Sequence, residues 1–300
     1  MKILLTLFIS ILLHSQLLDY KVKPVLKDDT SVMGINILDS KELVFKNLKT
    51  NELSALAYSH NRLYALSDFG YLHHFYIDLQ NDKINSLKFL KSIRLKNKKG
   101  KVLKKKKSDS EGMVLVDNQL YISFERKPRV EVYTLNGQKV KNKKIQKKLR
   151  DIDNYKGKNK ALESIAYNKT YGLLVAPELE LIGENENYHT IYAKYKTYKF
   201  KSSGSLCALE FISDDEILAL ERDFYRFTRK MIITLTKIHL DECKGNICKS
   251  EQMAKLSTAE GWSLDNFEGL TKVGKNRYLM VSDDNDSFLQ KTLLVLFELR

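Results

Sequence analysis

Apolar residues along this chain fall in short runs, and the runs come in pairs. Asn266-Phe267-Glu268-Gly269-Leu270 is followed by a polar Gly274-Lys275-Asn276 break and then by Tyr278-Leu279-Met280-Val281-Ser282. Two such runs around a short Gly- and Asn-bearing break predict a β-hairpin. With Lys275 and Asn276 as the loop, Gly274 faces Arg277 and the register sets Glu268 opposite Asp283. Two carboxylates then meet at the open end of the hairpin.

The pattern occurs five times. Glu52 to Asp68 encloses a turn at His60-Asn61, Glu111 to Glu125 a turn at Asp117-Asn118, and Glu163 to Glu178 a turn at Asn168-Lys169-Thr170. The fourth copy has Leu206 where the first acid is expected, turns at Ser213-Asp214 and ends on Glu221. Nine of the ten hairpin ends are therefore acidic. Acids beside strand ends are common, because Asp and Glu are depleted inside strands. Five copies in one register, in a chain with 51 Lys and Arg against 37 Asp and Glu, outweigh that explanation.

Each of the first four hairpins is followed by β-patterned sequence for two more strands, such as 71–79 with 87–95, or 231–240 with 247–256. No stretch beyond the first 15 residues carries a long amphipathic helical period. The fold class is all-β: repeats starting at Glu52, Glu111, Glu163, Leu206 and Glu268 predict a β-propeller of five or six four-stranded blades. The last repeat has only 292–299 after Asp283. Segments 35–38 and 42–45 supply the missing material, so that N- and C-terminal strands share a blade and no edge is left unpaired.

Ahead of the propeller, Met1-Lys2 and the apolar run 3–13 read as a secretory signal of residues 1–15, with 16–300 as one propeller domain. Ser15 suits a cleavage site and Leu13 does not, so cleavage and retention as an anchor both stay open. A periplasmic or secreted protein is expected. Cys243 and Cys248 flank Lys-Gly-Asn-Ile, a spacing a turn closes into a disulfide in such a compartment, with Cys207 left as a thiol.

The formal charge of +14 raises the question of nucleic acid. The lysines cluster in 96–107 and 139–148 without interleaved aromatics for base stacking, so no nucleic-acid partner is expected. An anionic small-molecule substrate and a monomeric protein are.

Blades pack radially, so equivalent hairpin ends gather around one mouth of the central channel. Glu52, Asp68, Glu111, Glu125, Glu163, Glu178, Glu221, Glu268 and Asp283 form the expected ring. Carboxylates that close raise one another's pKa unless positive charge intervenes. A hard cation held by carboxylate oxygens is one answer, calcium or another divalent ion. Arg126 and Arg222 are the other, as salt bridges between blades or as a fork for a phosphate or carboxylate. There is no Gly-x-Ser-x-Gly elbow and no His-Glu-x-x-His, which leaves metal-assisted hydrolysis as the surviving enzymatic option. His73 and His74 fall in a strand and read as structural.

Glu-Leu-Ser-Ala-Leu-Ala-Tyr at 52–58, Leu-Tyr-Ala-Leu-Ser-Asp at 63–68, Asp-Ser-Glu-Gly-Met at 109–113, Leu-Ala-Leu-Glu-Arg-Asp-Phe at 218–224, Asn-Phe-Glu-Gly-Leu at 266–270 and Val-Ser-Asp-Asp-Asn at 281–285 resemble the phytase-like, or esterase-like, propeller family of exported bacterial proteins. The resemblance implies hydrolysis of esters or phosphoesters on a propeller scaffold and carries over no catalytic set. Glu163-Ser164 departs from the family's Glu-Gly pattern, as do the lysine insertions. A cation-dependent hydrolase and a non-catalytic ligand- or protein-binding propeller are the two functional expectations.

Overall fold

The computed structural model describes residues 15–24, 30–45, 52–285, 287 and 289–300; the proposed signal segment up to residue 14 lies outside them. Its strands form five antiparallel sheets. Blade 1 consists of Leu53–Ser59, Arg62–Ser67, Tyr71–Gln80 and Lys83–Arg94, and blade 2 of Ser110–Val116, Gln119–Phe124, Arg129–Thr134 and Lys139–Lys143. Blade 3 has Leu162–Asn168, Gly172–Pro177, Tyr188–Tyr192 and Thr197–Lys201. Blade 4 has Ser205–Phe211, Glu216–Tyr225, Lys230–Lys244 and Ile247–Ser257. A single parallel bridge, Lys199 to Ile247, joins the outer edges of blades 3 and 4.

Blade 5 closes the circle. Asn266–Lys272, Arg277–Asp283 and Leu293–Leu299 pair in order, and Ile35–Phe45 adds the fourth strand, with Ser15–Asp19 outside it. The two N-terminal segments expected at 35–38 and 42–45 are thus one continuous strand. The first strand of each blade packs against the first strands of both neighbours, and the fifth returns to the first. That ring settles the blade number at five among the described residues.

The alternation of apolar residues explains why the blades stack. Leu56, Leu63 and Phe75 face blade 5, where they meet Leu279, Val281 and Leu296. Ala55, Tyr64 and Leu72 on the opposite face of the same sheet meet Met113, Ile122 and Phe124 of blade 2. Each of the five apolar clusters lies between two adjacent blades, as side chains of period two require. The tight turns at His60-Asn61 and Asp117-Asn118 have positive φ at both central residues, between +46° and +60°. That conformation matches the right-handed twist of the strands they join.

Every first strand carries a bulge near its start. The ladder slips at Leu53/Ala55, Ser110/Met113, Leu162/Ser164, Leu206/Ala208 and Phe267/Gly269. A bulge inserts an unpaired residue and re-aims its side chain. The inserted positions are Ser54, Glu111, Glu163, Cys207 and Glu268. The positions that follow, Ala55, Gly112, Ser164, Ala208 and Gly269, are all small and line a residual cavity of only about 10 Å³ between the first strands. A Cβ on Gly112 would come within 2.5 Å of the Glu163 carbonyl oxygen, and one on Gly269 within 3.2 Å of the Ala55 backbone. The Glu-Gly motif therefore records an acid aimed by the bulge and a small residue where five strands converge. Ser164 fills that small-residue position, which accounts for the departure from Glu-Gly.

Candidate functional site

The bulges change the register from the simple hairpin expectation. Asp283 lies opposite Asn266 rather than Glu268, because Glu268 is the inserted residue. Glu125 lies opposite Asp109, whose carbonyl accepts from the Glu125 N–H at 3.0 Å, and Asp68 opposite Glu52 in the same way at 3.1 Å. In blade 4, Leu206 pairs with Glu221 and Ser205 with Arg222. Counted by register, the position held by Asp68, Glu125, Glu178 and Asp283 in the other blades is held here by Arg222, one residue beyond Glu221. The bulge position that sequence spacing put at Leu206 is Cys207, and Glu52 stands where blade 2 has Asp109, with Ser54 at the bulge.

Glu221 consequently points elsewhere. It is fully buried, accepts from the Ser203 N–H and the Thr236 hydroxyl, each at 2.7 Å, and lies 3.4 Å from His189 Nε2. Its contacts tie the loop between blades 3 and 4 to the third strand of blade 4, and it leaves the ring. The Ser202 hydroxyl lies 3.1 Å from the same His189 nitrogen, but this is no catalytic triad. His189 Nε2 also faces the Gly204 carbonyl at 2.7 Å, an acceptor only, so the hydrogen sits on that nitrogen and cannot leave it free to activate Ser202.

The remaining ring acids do come together. Glu111, Glu125, Glu163, Glu178, Glu268 and Asp283 are buried, and Asp68 and Glu52 half-buried, at one mouth of the channel. Burial and the neighbouring carboxylates push the Asp68, Glu111 and Glu163 carboxyls well above the usual range. Burial is also the main cause at Asp283, raised to about 8, and at Glu125, raised to about 7.

Little positive charge offsets them. Arg222 Nη1 donates to Glu268 Oε1 at 2.6 Å and to Asn266 Oδ1, and Nη2 lies 3.9 Å from Glu178. Lys160 reaches Glu178 at 2.6 Å. Arg126 is exposed and pairs with Asp109 at 2.6 Å. Asn266 Nδ2 bridges Glu268 and Asp283, at 2.8 and 3.3 Å, and the Ser54 hydroxyl donates to Asp68. Asp109, Glu111 and Glu125 can each offer one oxygen within 4.8 Å of the others, a donor set that suits a hard divalent cation.

Over the ring opens a cleft of about 710 Å³ between blades 3, 4 and 5. Glu178, Arg222 and Glu268 lie at its ring side, with Lys160, Arg226 and Arg229 as further cations and Phe224, Met231, Leu264 and Leu289 as apolar lining. Asp109, Asn266 and these cations were not singled out from sequence. Asp109 and Asn266 left a trace there, inside the Asp-Ser-Glu-Gly and Asn-Phe-Glu-Gly motifs. His73 and His74 are core residues of blade 1, held neutral by burial with pKa values of about 4.

The phytase-like family profile, described as esterase-like activity of phytase, matches residues 49–286. The chain belongs to this family. The matched span runs from just before Glu52 to just past Asp283, so it takes in blades 1 to 4, the first two strands of blade 5 and the whole ring. No curated protein matches the chain in sequence. Solved structures similar to this phytase-like propeller include the PQQ-bound aldose sugar dehydrogenase of Streptomyces coelicolor, with 11% identity, a TM-score of 0.49, and 93% of this chain and 100% of that one covered. Another is the glutaminyl cyclase of Myxococcus xanthus, with 11% identity, a TM-score of 0.46, and coverage of 89% and 97%.

Proposed function

We propose that this phytase-like propeller is an exported hydrolase of anionic esters, phosphoesters before carboxyl esters, that works at the acidic mouth with a bound divalent cation, calcium by preference. The observation that carries the reading is the charge imbalance of the site. Buried carboxylates from blades 2, 3 and 5 and half-buried ones from blade 1 are gathered around one inward-pointing arginine, beneath a cleft that brings in three further cations. Such a group of acids is costly to ionise in a poorly solvated place without a counter-charge.

Asp109, Glu111 and Glu125 are the residues that would hold the cation, with Glu163 beside them. A calcium ion there would supply Lewis-acid polarisation of the ester oxygen. Arg222 and Lys160 orient the anionic group, with Arg226 and Arg229 at the rim, and Arg222 offers a fork suited to phosphate oxygens. Asp283, which is outside that donor set and has a pKa of about 8, would exchange a proton near neutral pH. Export belongs to the same proposal. The Cys243–Cys248 disulfide suits an oxidising compartment, and no helix among the described residues is long and apolar enough to cross a membrane.

The second reading is a binding propeller without catalysis. Its support is the nucleophile inventory: Cys207, at the ring, is buried with its thiol pushed up by that burial, which disfavours the reactive thiolate. The deciding assay offers the purified protein a generic phosphomonoester and a short acyl ester, each with calcium and with chelator. Calcium-dependent turnover that Glu111→Gln abolishes supports the hydrolase. Absence of turnover under every condition, with the protein folded, replaces it by the binding reading.

A further inference from the structure

The second strand of blade 4 overshoots. Its counterparts stop at Ser67, Phe124, Pro177 and Asp283, at or next to the ring position, whereas Glu216–Tyr225 runs three residues past Arg222. Asp223, Phe224 and Tyr225 continue to pair with Ile232, Met231 and Lys230, which makes a projecting β-hairpin beside the cleft. Its tip carries Phe224, Tyr225 and Phe227 in solvent, Phe227 entirely so, interleaved with exposed Arg226 and Arg229.

The hairpin is not alone on that face. Phe69 follows the ring residue Asp68, Ile182 lies in the loop after Glu178, and Leu289 in the loop after Asp283, and all three are at least half exposed. Six of the twelve exposed large apolar side chains among the described residues thus lie on the mouth-side connections of blades 1, 3, 4 and 5. The corresponding loop of blade 2 presents exposed Arg126 and Lys127 instead, and nearby Lys104, Lys106 and Lys107 are exposed as well. Arg129 ties that lysine segment to the mouth by donating to the Lys107 carbonyl at 2.6 Å.

Protruding aromatic and aliphatic tips among arginines and lysines are what an anionic bilayer surface accepts. The rings enter the headgroup region, and the cations meet lipid phosphates. A soluble protein has no folding reason to hold Phe227 in water, and a chain of charge +14 favours an anionic surface over a neutral one. We infer that the mouth face docks on an anionic lipid surface, with the blade 4 hairpin as its leading anchor and the lysine and arginine rim of blade 2 as its electrostatic support. Docked this way, the cleft opens toward the headgroups. The inference is independent of any hydrolytic activity.

Co-sedimentation with vesicles tests it. The purified protein pellets with vesicles of phosphatidylcholine mixed with phosphatidylglycerol and stays in solution with phosphatidylcholine alone. Raised salt weakens the binding. Phe227→Asp lowers the apparent affinity by about tenfold, since one buried aromatic is replaced by a charge of the wrong sign. Tyr195→Asp, at an exposed turn closing the other end of blade 3, leaves binding unchanged. A Phe227→Trp variant reports insertion directly: its emission shifts to the blue on adding anionic vesicles, against a native Trp262 that is already buried. Failure of the wild-type protein to pellet with anionic vesicles at low salt overturns the inference. So does equal loss in the Phe227→Asp and Tyr195→Asp proteins, or a Phe227→Trp emission that vesicles do not move.

Discussion

Arg222 of blade 4 donates to Glu268 of blade 5 at 2.6 Å from the register position that carries an acid in every other blade. The exchange of one carboxylate for a guanidinium both lowers the ring's negative charge and adds a cation to it. Removing a partner from a buried ion pair typically costs about 3–5 kcal/mol, because the other charge is left uncompensated. Arg222→Gln is therefore expected to destabilise the protein by roughly 3 kcal/mol at pH 8 and by less at pH 5, where Asp283 and Glu125, with pKa values of about 8 and about 7, are protonated and the ring carries less negative charge. Urea denaturation at both pH values measures the difference.

Without divalent cations, stability should depend on pH in an unusual direction. Asp283 and Glu125 have folded-state pKa values of about 8 and about 7, above their ordinary values of 3.8 and 4.5. The folded state therefore binds protons more tightly than the unfolded one, and the associated stability is complete below about pH 4 and is lost as pH rises toward 8. In chelator the melting temperature should fall between pH 5 and pH 8. A melting temperature that rises over that interval would contradict the charge-deficient ring.

Calcium should reverse that fall. A ligand bound only by the folded state stabilises it by mass action, by about 2.7 kcal/mol at a hundredfold excess over Kd. The melting temperature at pH 8 is expected to rise with added calcium, and Glu111→Gln to reduce the rise without unfolding the protein. A melting temperature indifferent to calcium and chelator would leave arginine and protonation as the only compensation.

Convergence of the first strands makes Gly112 intolerant of even a methyl group. Gly112→Ala sets its Cβ against the Glu163 backbone, and overpacking of that kind costs about 1–3 kcal/mol. Gly274→Ala, whose nearest neighbour is at 3.4 Å, serves as the control and should cost under about 1 kcal/mol. Calorimetry on the two variants gives the comparison.

The Cys243–Cys248 disulfide closes the tip of the long blade 4 hairpin, away from the mouth. Its loop is short, so replacing both cysteines by serine should cost about 2 kcal/mol at most. Calcium dependence should be unchanged. Mass spectrometry of exported protein should find this bridge and a free Cys207.

Much of this architecture was written in local pattern. Period-two alternation set the strands, Asn and Asp at the turns set the hairpins, and repetition of the acidic ends set the circular arrangement, because each is decided by residues close in sequence. The closing strand 35–45 was legible only by elimination, since nothing local marks its partner 293–299. The site's register was not legible. A bulge is one extra residue whose cost and benefit are settled by the neighbouring strand, and its five repetitions moved Glu268 off Asp283, put Cys207 rather than Leu206 at the fourth bulge, and turned Glu221 inward while bringing Arg222 to the mouth. Only packing of the five first strands around the axis decided that, because a one-residue shift in a strand exchanges its two faces.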